Sequence, residues 1–467
     1  MHTGDEYFDS KEFSVLLEKY GEAPATLDAE ELTDIADYYS YIGEDDKSQE
    51  AINLATSIYP GATAPISFKM HTALSKGLVE EAQNLIEDIS DKSCREYRFL
   101  KGEVLLGQGK TDESETYFRQ LYAELDDDEK TDMAIDVANA YGSYSLFDLA
   151  QEWIDKIPDC DLEDYKEAKA RVMLGQGKAE ESIKIFNELI DINPFSQKYW
   201  NALATSQFVT GNYEEALNSS EYVLAINSES PEGLFNKANC LFHLSRFDEA
   251  RTFYERYIAL CPDDELGYFN LGTCLVNIDA NDEAIEPLEK AKSLMPPDAE
   301  QLPVIYQELA YSYGAQAQLE KALENIELAL NRSKDNHDIL VLKGHILLEN
   351  NKVEEAREVF AEALKSSNND SHVFLRIIVS IYENKYVETA YRLFKTLFKT
   401  ATPDFNEGYA YMALCCRDMD KPKEFLHYLI LATQNNPQEA KRVLGFILPI
   451  DKEKGLPQDI KDFLAKH

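Results

Sequence analysis

The sequence predicts an all-α fold of the α-α superhelix class, a solenoid of about twelve stacked helix hairpins. The first observation is a recurring phrase. Trp200-Asn201-Ala202-Leu203-Ala204, with Gln207, Ala216, Ser220, Val223 and Ser228 after it, returns about every 34 residues. The next copies are Leu234, Lys237, Ala238, Leu241, Ala250, Tyr254, Tyr257 and Pro262, then Tyr268, Leu271, Gly272, Leu275, Ala284, Leu288, Ala291 and Pro296. The second observation is helical spacing of apolar residues twice within each copy. The third is composition: 44% hydrophobic and 11% aromatic, with no Pro/Gly/Ser-rich linker between copies, suits one continuous folded array.

The physics of one copy explains the period. In 265–298, Tyr268, Leu271, Gly272 and Leu275 line one helical face. Asn281 and Asp282 punctuate a turn, and a second helix carries Ala284, Leu288 and Ala291 inward. Pro296-Pro297 stops it, since proline cannot continue a helix. The small residues Gly272 and Ala284 fall where the paired helices cross most closely. One hairpin cannot bury its own apolar face, so copies must stack.

This pattern resembles the tetratricopeptide repeat. That family places a large residue at position four, a Leu-Gly-like pair at seven and eight, Tyr at eleven, Ala at twenty, Phe at twenty-four, Ala at twenty-seven and Pro at thirty-two. Clear copies are 163–196, 197–230, 231–264, 265–298, 303–336, 337–370 and 371–404. In 303–336 the marks are Tyr306, Leu309, Ala310, Tyr313, Ala322, Ile326 and Ala329; in 337–370 they are Leu340, Gly344, Leu347, Ala356, Phe360 and Ala363. Residues 299–302 form an insertion, a longer loop. Looser copies are 32–62, 63–94, 95–128 and 131–162 upstream and 406–439 downstream, where Phe425 stands at the usual Ala and widens the helix crossing. The expected organisation is therefore an N-terminal capping helix in 1–31, degenerate repeats in 32–162, a clear array in 163–439 and capping helices in 440–467. The caps show the stripes Phe13, Leu16, Leu17, Tyr20 and Val443, Phe446, Ile447. The resemblance implies a right-handed solenoid.

A net charge of −40 repels phosphates and anionic lipid, so nucleic acid and membrane are poor partners, and basic segments are steered inward. Runs such as Asp126-Asp127-Asp128-Glu129 read first as solvated helix faces. The N-terminus lacks the basic stretch and apolar core of a secretion signal, and no stretch approaches the roughly 18 apolar residues of a membrane span. A cytoplasmic location is the expectation. Cys240, Cys274 and Cys415 share the tenth position of their copies, where packing accounts for them, and Cys415-Cys416 has no second pair to complete a zinc site.

Gly107-Gln108-Gly109-Lys110-Thr111 imitates a phosphate-binding loop. Yet the first glycine of that loop is replaced by Val104, and the phrase returns as Gly175-Gln176-Gly177-Lys178, one more hairpin turn. His71, His243, His337, His345, His372 and His427 are scattered, without paired metal spacing. No catalytic residue, metal site or cofactor is expected, and the chain reads as non-enzymatic.

The resemblance implies a concave groove lined by first helices at positions two, five, six, nine, twelve and thirteen. Carried over, these are Lys198, Asn201, Thr205 and Phe208; Phe235, Asn236, Asn239, Phe242 and His243; and Phe269, Asn270, Thr273 and Asn277. Asparagine donates and accepts, so a ladder of them grips an extended peptide backbone, with the phenylalanines as apolar contacts. The competing reading is that these asparagines bridge helices. Family members that clamp a C-terminal carboxylate need cations where this chain has Phe235, Val304 and Glu308, so that mode is excluded although Asn239 and Asn270 match. Arg376, Arg417 and Lys421 make a less acidic downstream end. The expected function is a protein-interaction scaffold or adaptor that binds an extended segment or helix of another protein. The alternative is a sensor whose groove takes a small ligand or signalling peptide and changes curvature.

Overall fold

The computed structural model describes residues 8, 11–42, 44–158, 160–333, 336–402 and 404–445. Among them there are helices and no strands. The chain divides into two units, Met1–Pro262 and Asp263–His467, each described by itself.

The first unit opens with α1 (Lys11–Glu22) and a 3-10 turn, Pro24–Thr26. Hairpins follow: α2 (Ala29–Tyr41) with α3 (Asp45–Ile58), α4 (Thr63–Ser75) with α5 (Val79–Glu87), and α6 (Arg95–Gly107) with α7 (Thr111–Glu124). Next come α8 (Asp127–Ser143) with α9 (Phe147–Ile154), α10 (Glu163–Gly175) with α11 (Ala179–Ile192), α12 (Gln197–Val209) with α13 (Tyr213–Ile226), and α14 (Pro231–His243) with α15 (Phe247–Leu260). The second unit continues with α16 (Glu265–Asn277) and α17 (Asn281–Leu294), α18 (Leu302–Ala315) and α19 (Leu319–Arg332), and α20 (His337–Glu349) and α21 (Val353–Ser366). It ends with α22 (Ser371–Glu383) and α23 (Val387–Thr400), α24 (Tyr409–Asp418) and α25 (Pro422–Asn435), then α26 (Pro437–Leu444). Even-numbered helices from α2 to α24 are thus the first helices of their hairpins. Both units are stacks of consecutive packed helix pairs, as the α-α superhelix class requires: α12 packs on α13 and α13 on α14 in the first, α17 on α18 and α18 on α19 in the second.

Eleven hairpin turns among the described residues repeat one backbone device. A residue with positive φ stands two places before the second helix: Gly77, Gly109, Ser145, Gly177, Gly211 and Ser245 in the first unit, and Asp279, Ala317, Asn351, Lys385 and Asp420 in the second. The Lys110 and Lys178 amides close back on the Leu105 and Met173 carbonyls (2.9 and 2.8 Å), which makes both Gly-Gln-Gly-Lys phrases helix ends. One turn expectation is corrected. Asn281 and Asp282 are the first residues of α17, not the turn, and Asn281 is buried. The left-handed residue that reverses the chain is Asp279 (φ 58°), because a residue there leaves two peptides in which to re-enter the helix.

Close crossings rest on missing side chains. A Cβ on Gly102 would lie 2.3 Å from the Phe118 ring, one on Gly272 2.5 Å from Leu288, and one on Gly344 2.2 Å from the Phe360 ring. Position eight of the first helix therefore receives position twenty-four of the second. In the atypical hairpin α8–α9 a polar network replaces this. The buried Tyr141 hydroxyl and Trp153 indole N–H both donate to Glu115 Oε2 on α7 (2.7 and 3.0 Å). At the N-terminal end Phe13 and Leu16 are buried against Leu32, Ile35 and Ile52. At the other end Val443 and Leu444 pack on Ala410, Leu414 and Leu429. Phe446 and Ile447 lie outside the described residues.

Candidate functional site

The sequence-derived groove residues fall in both units. In the first, α12 carries Asn201, half-buried, whose side-chain oxygen has no hydrogen-bond partner among the described residues. Thr205 is exposed, and its hydroxyl donates to the Asn201 carbonyl (3.0 Å) within the same helix. Lys198 pairs with Glu167 (2.7 Å). On α14, Phe235 turns towards α15, with its ring 4.8 Å from that of Tyr257. Asn236 is half-buried. Asn239 accepts a hydrogen bond from the Tyr254 hydroxyl (2.6 Å), so this asparagine bridges the two helices of its hairpin. Phe242 packs edge-on against Phe247 (5.2 Å). His243 stacks on Tyr213 (4.7 Å) and meets Phe208 edge-on (5.0 Å). The structure thus gathers Phe208, Tyr213, Phe242, His243 and Phe247 into an aromatic cluster at the turn end of these hairpins.

In the second unit α16 holds Phe269, Asn270 and Thr273, all half-buried. The Thr273 hydroxyl is buried without a hydrogen-bond partner among the described residues, and Asn277 caps its own helix by donating to the Thr273 carbonyl (2.9 Å).

Further along this unit the first helices enclose a cleft of about 780 Å³. Asp338, Val341, Leu342 and His345 come from α20, at positions two, five, six and nine of their repeat. Leu375, Arg376, Val379 and Glu383 come from α22, at five, six, nine and thirteen. Tyr311 of α18, Tyr411 of α24 and the face Gln438, Glu439, Arg442 of α26 complete it. The family register used for the central repeats applies equally to these later ones; α26 entered only as a cap in the sequence reading, so Arg442 was missed.

Charge in the cleft is unevenly spent. Asp338 holds Arg376 (2.6 Å), and Glu407 accepts from His372 (3.2 Å). Glu439 is buried, and its carboxylate accepts the Gly408 amide through both oxygens (2.9 and 3.0 Å). Gly408 itself has φ +85°, and a side chain there would strike Leu375. His345 meets the Ser380 hydroxyl (3.1 Å) and lies 3.4 Å from Glu349. Burial pushes the Glu383 carboxyl above its ordinary range, with His345 opposing. Burial alone pushes Glu308, on α18, up to about 7. Burial, followed by the charges of Glu349, Asp279, Glu383 and Glu308, raises the Tyr311 phenol; of these four carboxylates Glu383 lines the cleft. Arg442 enters no ion pair among the described residues; burial raises the Glu439 carboxyl, and the Gly408 and Ala410 amides and then Arg442 oppose that shift. Of the other two cations in the less acidic downstream end, Arg417 pairs with Asp418 (2.7 Å) and Lys421 lies over the Tyr391 ring (3.7 Å).

Among the described residues no disulfide joins any of the seven cysteines, and Cys240, Cys274, Cys415 and Cys416 are buried. Among the described residues no group of three or more His, Cys, Asp or Glu is placed to hold a metal, and no helix is long and apolar enough to cross a membrane.

Two family models decide what these hairpins are. One described as tetratricopeptide repeat matches residues 71–129, 167–231 and 201–265, and a second of the same description matches 315–375. The matched segments are tetratricopeptide repeats. Among solved structures, this repeat protein is similar to a fragment of MamA from Desulfovibrio magneticus RS-1 (18% identity over 37% of this chain and 96% of that one, TM-score 0.35). It is also similar to YrrB, described as a TPR protein with an unusual peptide-binding site (16% identity, 43% and 97% covered, TM-score 0.37). A third similar structure is the APC/C hetero-tetramer Cut9–Hcn1 (13% identity, 92% of both chains, TM-score 0.35). Comparison with curated proteins gives no match.

Proposed function

We propose that this repeat protein is a non-catalytic scaffold that binds an extended segment or helix of a partner protein on the faces of its first helices. The observation that carries the reading is the second-unit cleft. It is walled by first helices and α26, with half-buried Leu342 and Val379 between charged ends. A surface of that kind rewards burial of a few partner side chains while polar groups fix their register. In the first unit, Asn201, Thr205, Asn236 and the aromatic cluster around Phe242 form a second candidate contact face; Phe269, Asn270 and Thr273 extend the candidate set in the other unit. Asn239 and Phe235 contribute through their hold on Tyr254 and Tyr257.

The test is affinity capture from lysate with the full chain, read by quantitative mass spectrometry. The baits are wild type, Val379→Lys in the cleft, Asn236→Ala on α14 and Glu362→Lys on the exposed face of α21. A partner lost with Val379→Lys or Asn236→Ala and kept with Glu362→Lys, at unchanged helicity, supports first-helix binding. Loss only with Glu362→Lys moves the interface to the second helices and refutes it.

A further inference from the structure

The described chain ends beside the second-unit cleft. Gln438, Glu439 and Arg442 of α26 form one wall of that cleft, and α26 ends at Leu444. From Gln438 to Leu444 the helix advances only about 9 Å. Residues 446–467 follow and lie outside the described residues. Their sequence has two parts. The stretch 446–455 carries Pro449, which stops α26 from running on, and closes with Gly455. In 456–467, Leu456, Ile460, Phe463 and Leu464 are spaced by four, three and one, which sets them on one helical face, with Pro457 at the first turn. A helix this short is marginal alone in water, so its apolar stripe needs a surface. The cleft offers one of about 780 Å³, in which Leu342 and Val379 are half-buried and Val341 and Leu375 buried. Reach is no obstacle, since ten residues extend up to about 33 Å. Charge narrows the choice of occupant. Asp338, Glu383, Glu407 and Glu439 line the cleft against Arg376 and Arg442, an acidic excess. The whole chain has 86 acids to 46 bases, and a segment of that average composition is repelled there. Residues 446–467 hold four acids and four lysines, so they enter without that penalty.

Resting on the reading of this cleft as a protein-binding face, we propose that its resident occupant is the chain's own segment 456–467. Ile460, Phe463 and Leu464 of the docked helix cover Leu342 and Val379, and a partner gains the cleft by displacing them. The contact is autoinhibitory and need not be strong. A short flexible linker gives an effective concentration on the order of 1 mM, so a segment whose free peptide binds at about 0.1 mM closes the cleft about ten to one. A partner then binds the closed chain about tenfold more weakly than the open one, because only the open fraction is competent.

The experiment uses the full-length chain and a fluorescent peptide of residues 455–467, read by anisotropy. The peptide is titrated into wild type, into Phe463→Asp/Leu464→Asp, and into that double variant with Val379→Lys added, all checked for unchanged helicity. The double variant should bind it at least about tenfold more tightly than wild type, the factor set by the effective concentration. Val379→Lys should abolish the gain. In a second arm the photo-crosslinker p-benzoylphenylalanine replaces Leu342, and the irradiated monomer should carry a crosslink to residues 456–467. Equal affinity for wild type and the double variant overturns the proposal, as does no binding to the double variant up to about 1 mM, the scale of the effective concentration. A gain that survives Val379→Lys overturns it too, since the segment then sits on another face. So does a crosslink that is missing within one chain, including one formed only between two copies. The scaffold reading fails separately. If the crosslink and the tenfold gain are found, yet the double variant captures no lysate partner that Val379→Lys loses, the docked segment stands and partner binding by the cleft does not.

Discussion

Replacing Gly344 by alanine tests whether the repeat is held by the contact between positions eight and twenty-four. Alone, the substitution favours the helix: alanine gains about 1 kcal/mol over glycine in a helix interior. The geometry opposes it. The new methyl would stand 2.2, 2.6 and 2.7 Å from three ring atoms of Phe360, a side chain only 6% exposed. The ring cannot simply rotate away, because it is packed among Leu347, Ala356, Val373 and Ile377. Overpacking of this kind costs about 1–3 kcal/mol, so after the helix gain the net expectation is a loss of up to about 2 kcal/mol. Gly142 supplies the control. It lies near the end of α8 with nothing within 4 Å of an added Cβ, so Gly142→Ala should stabilise by a few tenths to about 1 kcal/mol. Repeat arrays unfold in parts, and the assay must be local. Hydrogen exchange of α20 and α21 in Gly344→Ala, and of α8 in Gly142→Ala, read alongside urea unfolding, meets that need. In Gly344→Ala/Phe360→Leu the clash is relieved, and the pair should be coupled by about 1 kcal/mol or more. Gly344→Ala at or above wild-type protection, or no coupling with Phe360, would refute the packing account.

Glu308→Gln should stabilise the chain at neutral and alkaline pH and do nothing near pH 4. The folded carboxyl titrates at about 7 because of burial, so the fold favours its protonated form; stability is lost as pH rises through the interval up to 7, and the amide avoids that loss. Melting temperatures of both proteins from pH 4 to 8 should coincide at the acid end and diverge above it. Glu115→Ala should cost roughly 2–4 kcal/mol, since it leaves the buried Tyr141 hydroxyl and Trp153 indole without their acceptor; Glu115→Gln, which keeps an acceptor, should cost less. Urea unfolding monitored by tryptophan fluorescence checks both. A thiol reagent should leave Cys240, Cys415 and Cys416 unmodified in the native chain, because burial both excludes it and pushes those thiols up to about 12, 12 and 11; rapid native labelling of any of the three would contradict their placement.

The parts of this fold that were legible in the sequence are those set by local spacing. A stripe at 3.6-residue period dictates a helix wherever it stands, and a small residue opposite a large one dictates a close crossing, so Gly272 and Gly344 announced their hairpins. Turn residues were harder to place. Asn281 looks like a turn former, yet the reversal rests on Asp279, because what matters is which residue takes positive φ and not which is polar. The site was less legible still, for a reason that concerns partners. Position nine of a first helix is a groove position in every repeat, but Asn239 is held by Tyr254 whereas Val379 opens into a cleft. The difference depends on the residue at position twenty-four of the same repeat, where Tyr254 supplies a hydroxyl, and on whether a later element walls the face. Arg442 shows the second dependence most clearly: nothing in Pro437–Leu444 marks it as more than a cap until α26 packs against α24 and brings it beside Tyr411 and Glu439. A repeat therefore specifies its scaffold one copy at a time, while what it recognises is written in departures between copies.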